Sequence, residues 1–134
     1  MTSSKDSLPA YLTLANEDNL PLHIKQKYAQ KALSIILEQK DDSLNKVNLF
    51  KVANRYYNMS DWKAYLKTTK LILERARVSK DSVHMAKAYV YLGDYYLSQS
   101  ISDSAFLNYY KAEKTYQRIN DQLNLVKTFL NKAN

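Results

Sequence analysis

The chain has 134 residues, of which 46% are hydrophobic and 25% charged, as is typical of one folded domain. Its single glycine excludes glycine-rich phosphate loops and disfavours hairpins built on positive-φ turns. The lack of cysteine excludes disulfides, thiolate metal sites and a cysteine nucleophile. A net charge of +7 permits weak association with anionic partners without establishing it. These numbers favour an all-α protein with few residues available for chemistry.

The elements predicted along the chain are all helices. Six polar N-terminal residues are expected to be disordered, and a short helix over about 8–16 and a longer one over 21–39 follow them. Apolar residues at spacings of three and four then predict helical pairs over 43–58 with 61–78 and over 82–99 with 102–119. A last helix is predicted from near 122 to the end. No apolar run approaches the roughly 18 residues of a membrane span.

The chain matches itself when it is shifted by forty residues. Aspartate recurs at 41, 81 and 121, small residues recur at 53, 93 and 133, and large apolar residues recur at 49, 89 and 129. This register predicts repeats over about 7–40, 43–80 and 82–120, with a partial repeat over 122–134, all in one domain covering 7–134. The small residue in each repeat is expected to let the second helix come close.

The third repeat carries a recognisable motif. Its residues are Tyr89, Leu92, Gly93 and Tyr96, followed by Ala105, Tyr109 and Ala112. This pattern resembles the tetratricopeptide repeat (TPR). The second repeat departs from it, with Tyr65 at the first small position and Thr69 at the aromatic one, and the period is forty rather than thirty-four. The resemblance implies a right-handed α-α superhelix of about three helix-turn-helix repeats plus a terminal helix.

A narrower resemblance concerns the class of protein. The forty-residue spacing and the phrases DSLPAYL and LGDYY are similar to the N-terminal repeat regions of bacterial regulators that carry LuxR-type helix-turn-helix or histidine kinase modules. The resemblance implies a sensory or interaction domain that is periplasmic or exported, with a cytoplasmic location as the alternative. Because the last repeat lacks its second helix, the chain is expected to be a fragment of such a protein.

The resemblance also implies a binding site on the concave face, which the first helix of each pair lines. The expected groove residues are Phe50, Asn54, Tyr57, Lys87, Val90, Tyr91, Asp94, Lys127, Leu130 and Asn131. Amides suit a peptide backbone and lysines suit carboxylates, so the expected partner is a protein or peptide, with no cofactor and no metal. A carboxylate clamp is matched only in part, because Phe50 replaces its first lysine and Asp94 adds negative charge.

Other functions remain open at this stage. A homodimer through the C-terminal helix is one alternative. A weak nucleic-acid binder is another, because Lys63, Lys67, Lys70 and Arg77 follow one helical stripe that only Glu74 interrupts. An enzyme is not expected, since His23 and His84 are interpreted as isolated histidines and Asp41-Asp42 as a helix-capping turn rather than a metal loop.

Overall fold

The computed structural model describes the backbone of residues 4–133 and the side chains of residues 7–130. All regular secondary structure in this part of the chain is α-helical, and no strand occurs in it, so the all-α prediction is confirmed. The helices are α1 (Ser4–Leu14), α2 (Leu22–Leu37), α3 (Ser43–Asn58), α4 (Trp62–Val78), α5 (Ser82–Ser98), α6 (Ser102–Arg118) and α7 (Gln122–Ala133). From α3 onward their bounds fall within a residue or so of those predicted.

The N-terminal helix differs from its prediction. It begins at Ser4 and ends at Leu14, so it overlaps the segment over 1–6 that was expected to be disordered. Residues 1–3 lie outside the described part. A proline is expected in the first turn of a helix, but Pro9 lies sixth in α1. Because the φ of proline is helical, one proline near a helix start removes a hydrogen bond without ending the helix.

The connections after α3, α4, α5 and α6 share one geometry. Each is three residues long, and its middle residue has a left-handed φ, namely 57° at Ser60, 56° at Lys80, 61° at Ser100 and 59° at Asn120. The next residue donates its N–H to the carbonyl five positions back, at distances of 2.9, 2.8, 2.8 and 2.9 Å in chain order. These are Schellman turns, and they recur every twenty residues. The scarcity of glycine did not exclude positive-φ turns, because serine, lysine and asparagine occupy them.

Aspartate begins most of the helices that follow these turns. Asp61, Asp81 and Asp121 each accept a hydrogen bond at 3.2 Å from the backbone N–H three residues later. Ile101 holds the same position before α6, and no side chain caps that helix. Ser82 and Ser102 also have the residue type of a helix cap, but Asp81 is the N-cap of α5 and Ile101 occupies that position in α6.

The residues group into two compact units, Met1–Thr68 and Thr69–Asn134, which divide within α4. In the first unit α2 packs against both α1 and α3. Its core includes Leu12, Ala32, Ile36, Leu49 and Val52, none more than 7% exposed. The Nε of Arg55 on α3 donates to the carbonyl of Leu12 on α1 at 2.9 Å.

The Asp41-Asp42 turn caps α3, as the sequence predicted. Asp42 accepts a hydrogen bond from the N–H of Asn45 at 2.9 Å, and Asp41 forms an ion pair with the buried Lys46.

In the second unit α6 packs against both α5 and α7. Ala86, Ala112, Tyr116 and Leu125 form a buried cluster that joins these three helices. Gly93 of α5 faces the ring of Tyr109 on α6. A Cβ built on that glycine would lie 2.6 Å from Cδ1 and 2.8 Å from Cζ of the ring. The close approach expected at this small residue is confirmed, and it leaves no room for a side chain.

Candidate functional site

The second unit carries a groove of about 500 Å³ along α5, α6 and α7. The lining residues are Val83, His84, Lys87, Val90 and Tyr91 from α5, Tyr116 from α6, and Asn124, Lys127, Thr128 and Leu130 from α7. None of these described lining residues carries a carboxylate, whereas Lys87 and Lys127 carry positive charge. The groove therefore combines apolar walls with cationic groups.

Equivalent positions of the forty-residue repeat line the two walls of the groove. Lys87 on α5 and Lys127 on α7 are forty residues apart and occupy the same position in their helices, as do Val90 and Leu130. Because α5 and α7 begin with the same turn and the same capping aspartate, equivalent side chains come to opposite sides of one groove. This symmetry follows directly from the forty-residue period of the sequence.

Hydrogen bonds to the capping aspartates hold two polar lining residues. The Nδ1 of His84 lies 2.6 Å from Oδ2 of Asp81, and Nδ2 of Asn124 donates to Oδ2 of Asp121 at 2.8 Å. Rotation of the His84 ring or of the Asn124 amide would therefore break its hydrogen bond to the aspartate. His84 was interpreted as isolated, but Asp81 lies three residues before it and is its partner.

The charges in the groove act on one another. The pKa of Lys87 is lowered, first because burial penalises its charged form and second because Lys127 repels it. The Nζ of Lys87 also lies 5.9 Å from the centre of the Tyr91 ring, within cation-π range. An anion bound beside both lysines would relieve their repulsion, since opposite charge favours the protonated form.

The floor of the groove consists of Tyr116 and Thr128, which are 3% and 1% exposed. Burial, with a smaller contribution from Asp121, raises the pKa of Tyr116 to about 12. A tyrosine with its ordinary pKa of 10.0 is already neutral at physiological pH, so the raised pKa keeps this phenol protonated to still higher pH. The hydroxyl of Thr128 donates to the carbonyl of Asn124 at 2.9 Å, which anchors this residue within α7.

Five of the ten predicted site residues lie together in this groove: Lys87, Val90, Tyr91, Lys127 and Leu130. Asp94 does not line it. The carboxylate of Asp94 accepts a hydrogen bond from the hydroxyl of Tyr109 at 2.5 Å. Burial raises its pKa, and the bond from Tyr109 opposes that rise. Asp94 thus belongs to the packing of α5 on α6. Asn131 lies in α7, but its side chain is outside the described residues.

The three predicted residues of the first unit have other surroundings. Phe50 is only 2% exposed and is a core residue, so it has no surface to offer a partner. Asn54 accepts hydrogen bonds from Arg55 at 2.9 Å and from Asn58 at 3.3 Å. Tyr57 is 40% exposed, and its ring packs edge-on against that of Trp62, with centroids 5.1 Å apart.

Sequence reasoning missed half of the lining: Val83, His84, Tyr116, Asn124 and Thr128. A signal for His84 and Asn124 was present, because each follows a capping aspartate by three residues and the two are forty apart. Tyr116 could not be recognised as groove-lining, because its spacing on α6 marks it equally as a core residue.

On the basic stripe of α4, Nη1 of Arg77 pairs with Glu74 at 3.1 Å, which neutralises part of its charge. No group of three or more histidine, aspartate or glutamate residues that could hold a metal occurs among the described side chains. In the described part of the chain, no helix combines the length and hydropathy needed to cross a membrane.

Comparisons of the chain with protein-family models, with curated proteins and with solved structures gave no match. The structure itself defines the chain as an all-helical protein with a cationic groove on α5, α6 and α7.

Proposed function

We propose that this protein is a TPR-like binding module whose groove on α5, α6 and α7 holds an extended peptide segment bearing an acidic group. The observation that carries the proposal is the placement of Lys87 and Lys127 at one repeated position on opposite walls of an apolar groove. A carboxylate bound between them gains two charge-assisted contacts, which are stronger than neutral hydrogen bonds.

The rest of the groove suits a peptide. Val83, Val90, Tyr91 and Leu130 offer an apolar surface for one or two side chains of the segment. The side chains of Asn124 and His84 are already oriented by Asp121 and Asp81, so binding does not require their ordering. An extended segment needs few such polar partners, because its own backbone groups can also remain hydrated at the rim.

Support for the TPR-like repeat comes from the second unit. The contact between Gly93 and Tyr109 joins the small residue of the motif to its aromatic residue, and both belong to the sequence pattern that resembles the family. The identical turns at 60, 80, 100 and 120 add a regular backbone period. The proposal extends to a right-handed superhelix and to a role in a bacterial signalling or transcriptional regulator. Both rest on the sequence resemblance.

The test selects peptides from a displayed random library at low ionic strength and then measures their affinities by fluorescence anisotropy. We expect selected peptides to carry Asp, Glu or a free C-terminal carboxylate beside an apolar residue. The double variant Lys87→Glu with Lys127→Glu should weaken binding at least about tenfold, because two attractive contacts become repulsive.

The matched control is Lys63→Glu with Lys67→Glu, which changes the net charge equally at exposed positions on α4. Its affinity should stay within about twofold of that of the parent. Equal losses in the two double variants would indicate nonspecific attraction to a basic protein. A library that yields no binders would also refute the proposal. Circular dichroism would establish that both variants keep their helicity.

A further inference from the structure

We propose that the outer face of α6 is an interface between two copies of this chain, which meet through this helix as an antiparallel pair. The face is defined by four exposed residues, Asp103, Leu107, Tyr110 and Lys114, which we call the α6 seam. Their spacings of four, three and four place them along one side of the helix, as at the contact positions of paired helices. None of them lines the groove, so this interface is separate from the proposed peptide site and does not depend on it.

The seam lies on the side of α6 that is turned away from the core of its unit. At about 100° per residue, it stands opposite the buried stripe of Ala105, Tyr109 and Ala112, none of which is more than 1% exposed. Leu107 and Tyr110, by contrast, are 53% and 52% exposed. The seam is therefore the side of α6 that is open to a second helix.

The fold itself does not require apolar residues at the centre of the seam. The two central positions are held by Lys67 and Lys70 in α4, forty residues earlier, and by Lys27 and Gln30 in α2, eighty residues earlier. All four of these residues are exposed, although a further pair of helices follows both α2 and α4. Exposure therefore belongs to this position in the repeat and not to the end of the chain, whereas the apolar centre occurs only in α6.

The charges at the two ends of the seam select a second copy as the occupant. Asp103 lies at one end and Lys114 at the other, and the midpoint between them is also the midpoint between Leu107 and Tyr110. In an antiparallel pair with its twofold axis at this point, Asp103 of each copy faces Lys114 of the other, and Leu107 of each copy faces Tyr110 of the other. A parallel pair would bring like charges together, and a uniformly acidic or basic partner helix would match only one end of the seam.

The expected dimer is weak. One pair of helices is a small interface compared with the roughly 1,200–2,000 Å² that stable complexes bury. The net charge of +7 on each copy adds a long-range repulsion, which salt screens beyond about 8 Å at an ionic strength of about 0.15 M. Sedimentation equilibrium at this ionic strength, with chain concentrations up to about 1 mM, should therefore show a monomer–dimer equilibrium.

Leu107→Glu should raise the Kd of the dimer at least about tenfold, because the twofold axis places the new charge at both apolar contacts. The matched control is Leu44→Glu, which adds the same charge at a residue of α3 that is 63% exposed. Its Kd should stay within about twofold of that of the parent. A monomer at every concentration, or equal losses in the two variants, would overturn the proposal. A dimer that is weakened by Val126→Glu on α7 but not by Leu107→Glu would also overturn it and assign the contact to the C-terminal helix.

Charge reversal tests the antiparallel arrangement. Asp103→Lys and Lys114→Asp each replace two attractive pairs by two repulsive ones, so each should raise the Kd at least about fivefold. An equimolar mixture of the two variants restores both attractive pairs and should form a heterodimer that is tighter than either homodimer. A mixture that is no tighter than its homodimers would overturn the antiparallel contact. Binding of the library-selected groove peptides by Leu107→Glu keeps a failure of this interface distinct from a failure of the peptide site.

Discussion

Gly93 and Tyr109 pack so closely that the ring of the tyrosine occupies the space where any other residue would place its Cβ. The ring cannot easily move away. Tyr109 is 1% exposed, and its hydroxyl donates to Asp94, which follows Gly93 directly. One glycine and one tyrosine thus set the distance between α5 and α6, the helices that form one wall and the floor of the groove.

Replacing Gly93 with alanine should therefore lower stability despite the better helix propensity of alanine. Alanine gains about 1 kcal/mol of propensity, but overpacking a rigid core costs about 1–3 kcal/mol. In a Tyr109→Ala background the same substitution should instead be stabilising by up to about 1 kcal/mol, since only the propensity gain remains. Urea denaturation of the four proteins of this cycle measures both effects. A Gly93→Ala effect of one sign in both backgrounds would contradict the close contact.

Replacing Asp94 with asparagine should raise stability at pH 7. Burial raises the pKa of Asp94 above its ordinary value of 3.8, so the folded chain binds this proton more readily than the unfolded chain. Stability contributed by this group must then increase as the pH falls through the raised pKa and decrease as the pH rises. Asparagine keeps an oxygen to accept from Tyr109 and removes the buried charge. Its advantage should shrink between pH 7 and pH 4 in urea melts, and a difference independent of pH would contradict this assignment.

Glycine should stabilise the chain at position 80 and destabilise it at position 114. Lys80 has a φ of 56°, where a residue with a Cβ is strained by about 1–2 kcal/mol, so Lys80→Gly should gain about 0.5–1 kcal/mol after its added backbone entropy. Lys114 lies within α6 and is exposed, so Lys114→Gly should lose about 1 kcal/mol. Thermal unfolding compares the two variants, and effects of equal sign would show that the left-handed turn is absent.

Ile101→Asp should stabilise the chain by about 1 kcal/mol, because it supplies the cap that α6 lacks. Asp81→Ala is the converse change and should lose a similar amount at α5, since Asp81 accepts from the N–H of His84. Ile101 is 46% exposed, so little apolar burial is lost on its replacement. Chemical denaturation measures both variants. No gain from Ile101→Asp would mean that the N–H groups at the start of α6 are already well satisfied by water.

The helices were predictable because their signals are local. Apolar spacing of three and four marks each element from α3 to α7, an aspartate stands at the start of all of these but α6, and the structure follows these marks closely. The Gly93 contact was predictable for the same reason, since a small residue in a helical motif has few other uses. The left-handed turn that recurs every twenty residues was missed. Ser60, Lys80 and Asn120 adopt the same backbone conformation there, and none of these residue types indicates it.

The residues that line the groove could be predicted only at positions where the residue type alone indicates exposure to solvent. Lys87 and Lys127 both line the groove, because charged side chains in a repeated position cannot enter the core unpaired. Phe50, on that same predicted face, is buried. A phenylalanine can fill either surface or core, and which one depends on the residues packed around it. The sequence pattern of one helix does not contain that information.

The electrostatic coupling across the groove can be measured without any ligand. Lys127→Gln should raise the pKa of Lys87, because it removes the repulsion that adds to the effect of burial. The value should remain below the ordinary 10.5, since Lys87 stays half-buried in this variant. A pH titration of ¹³C-labelled lysine by NMR follows the Cε signal of Lys87. Lys111→Gln is the matched control, because Lys111 lies over the ring of Tyr89 rather than in the groove. A shift of equal size in both variants, or none in Lys127→Gln, would place the two lysines too far apart to share one anion.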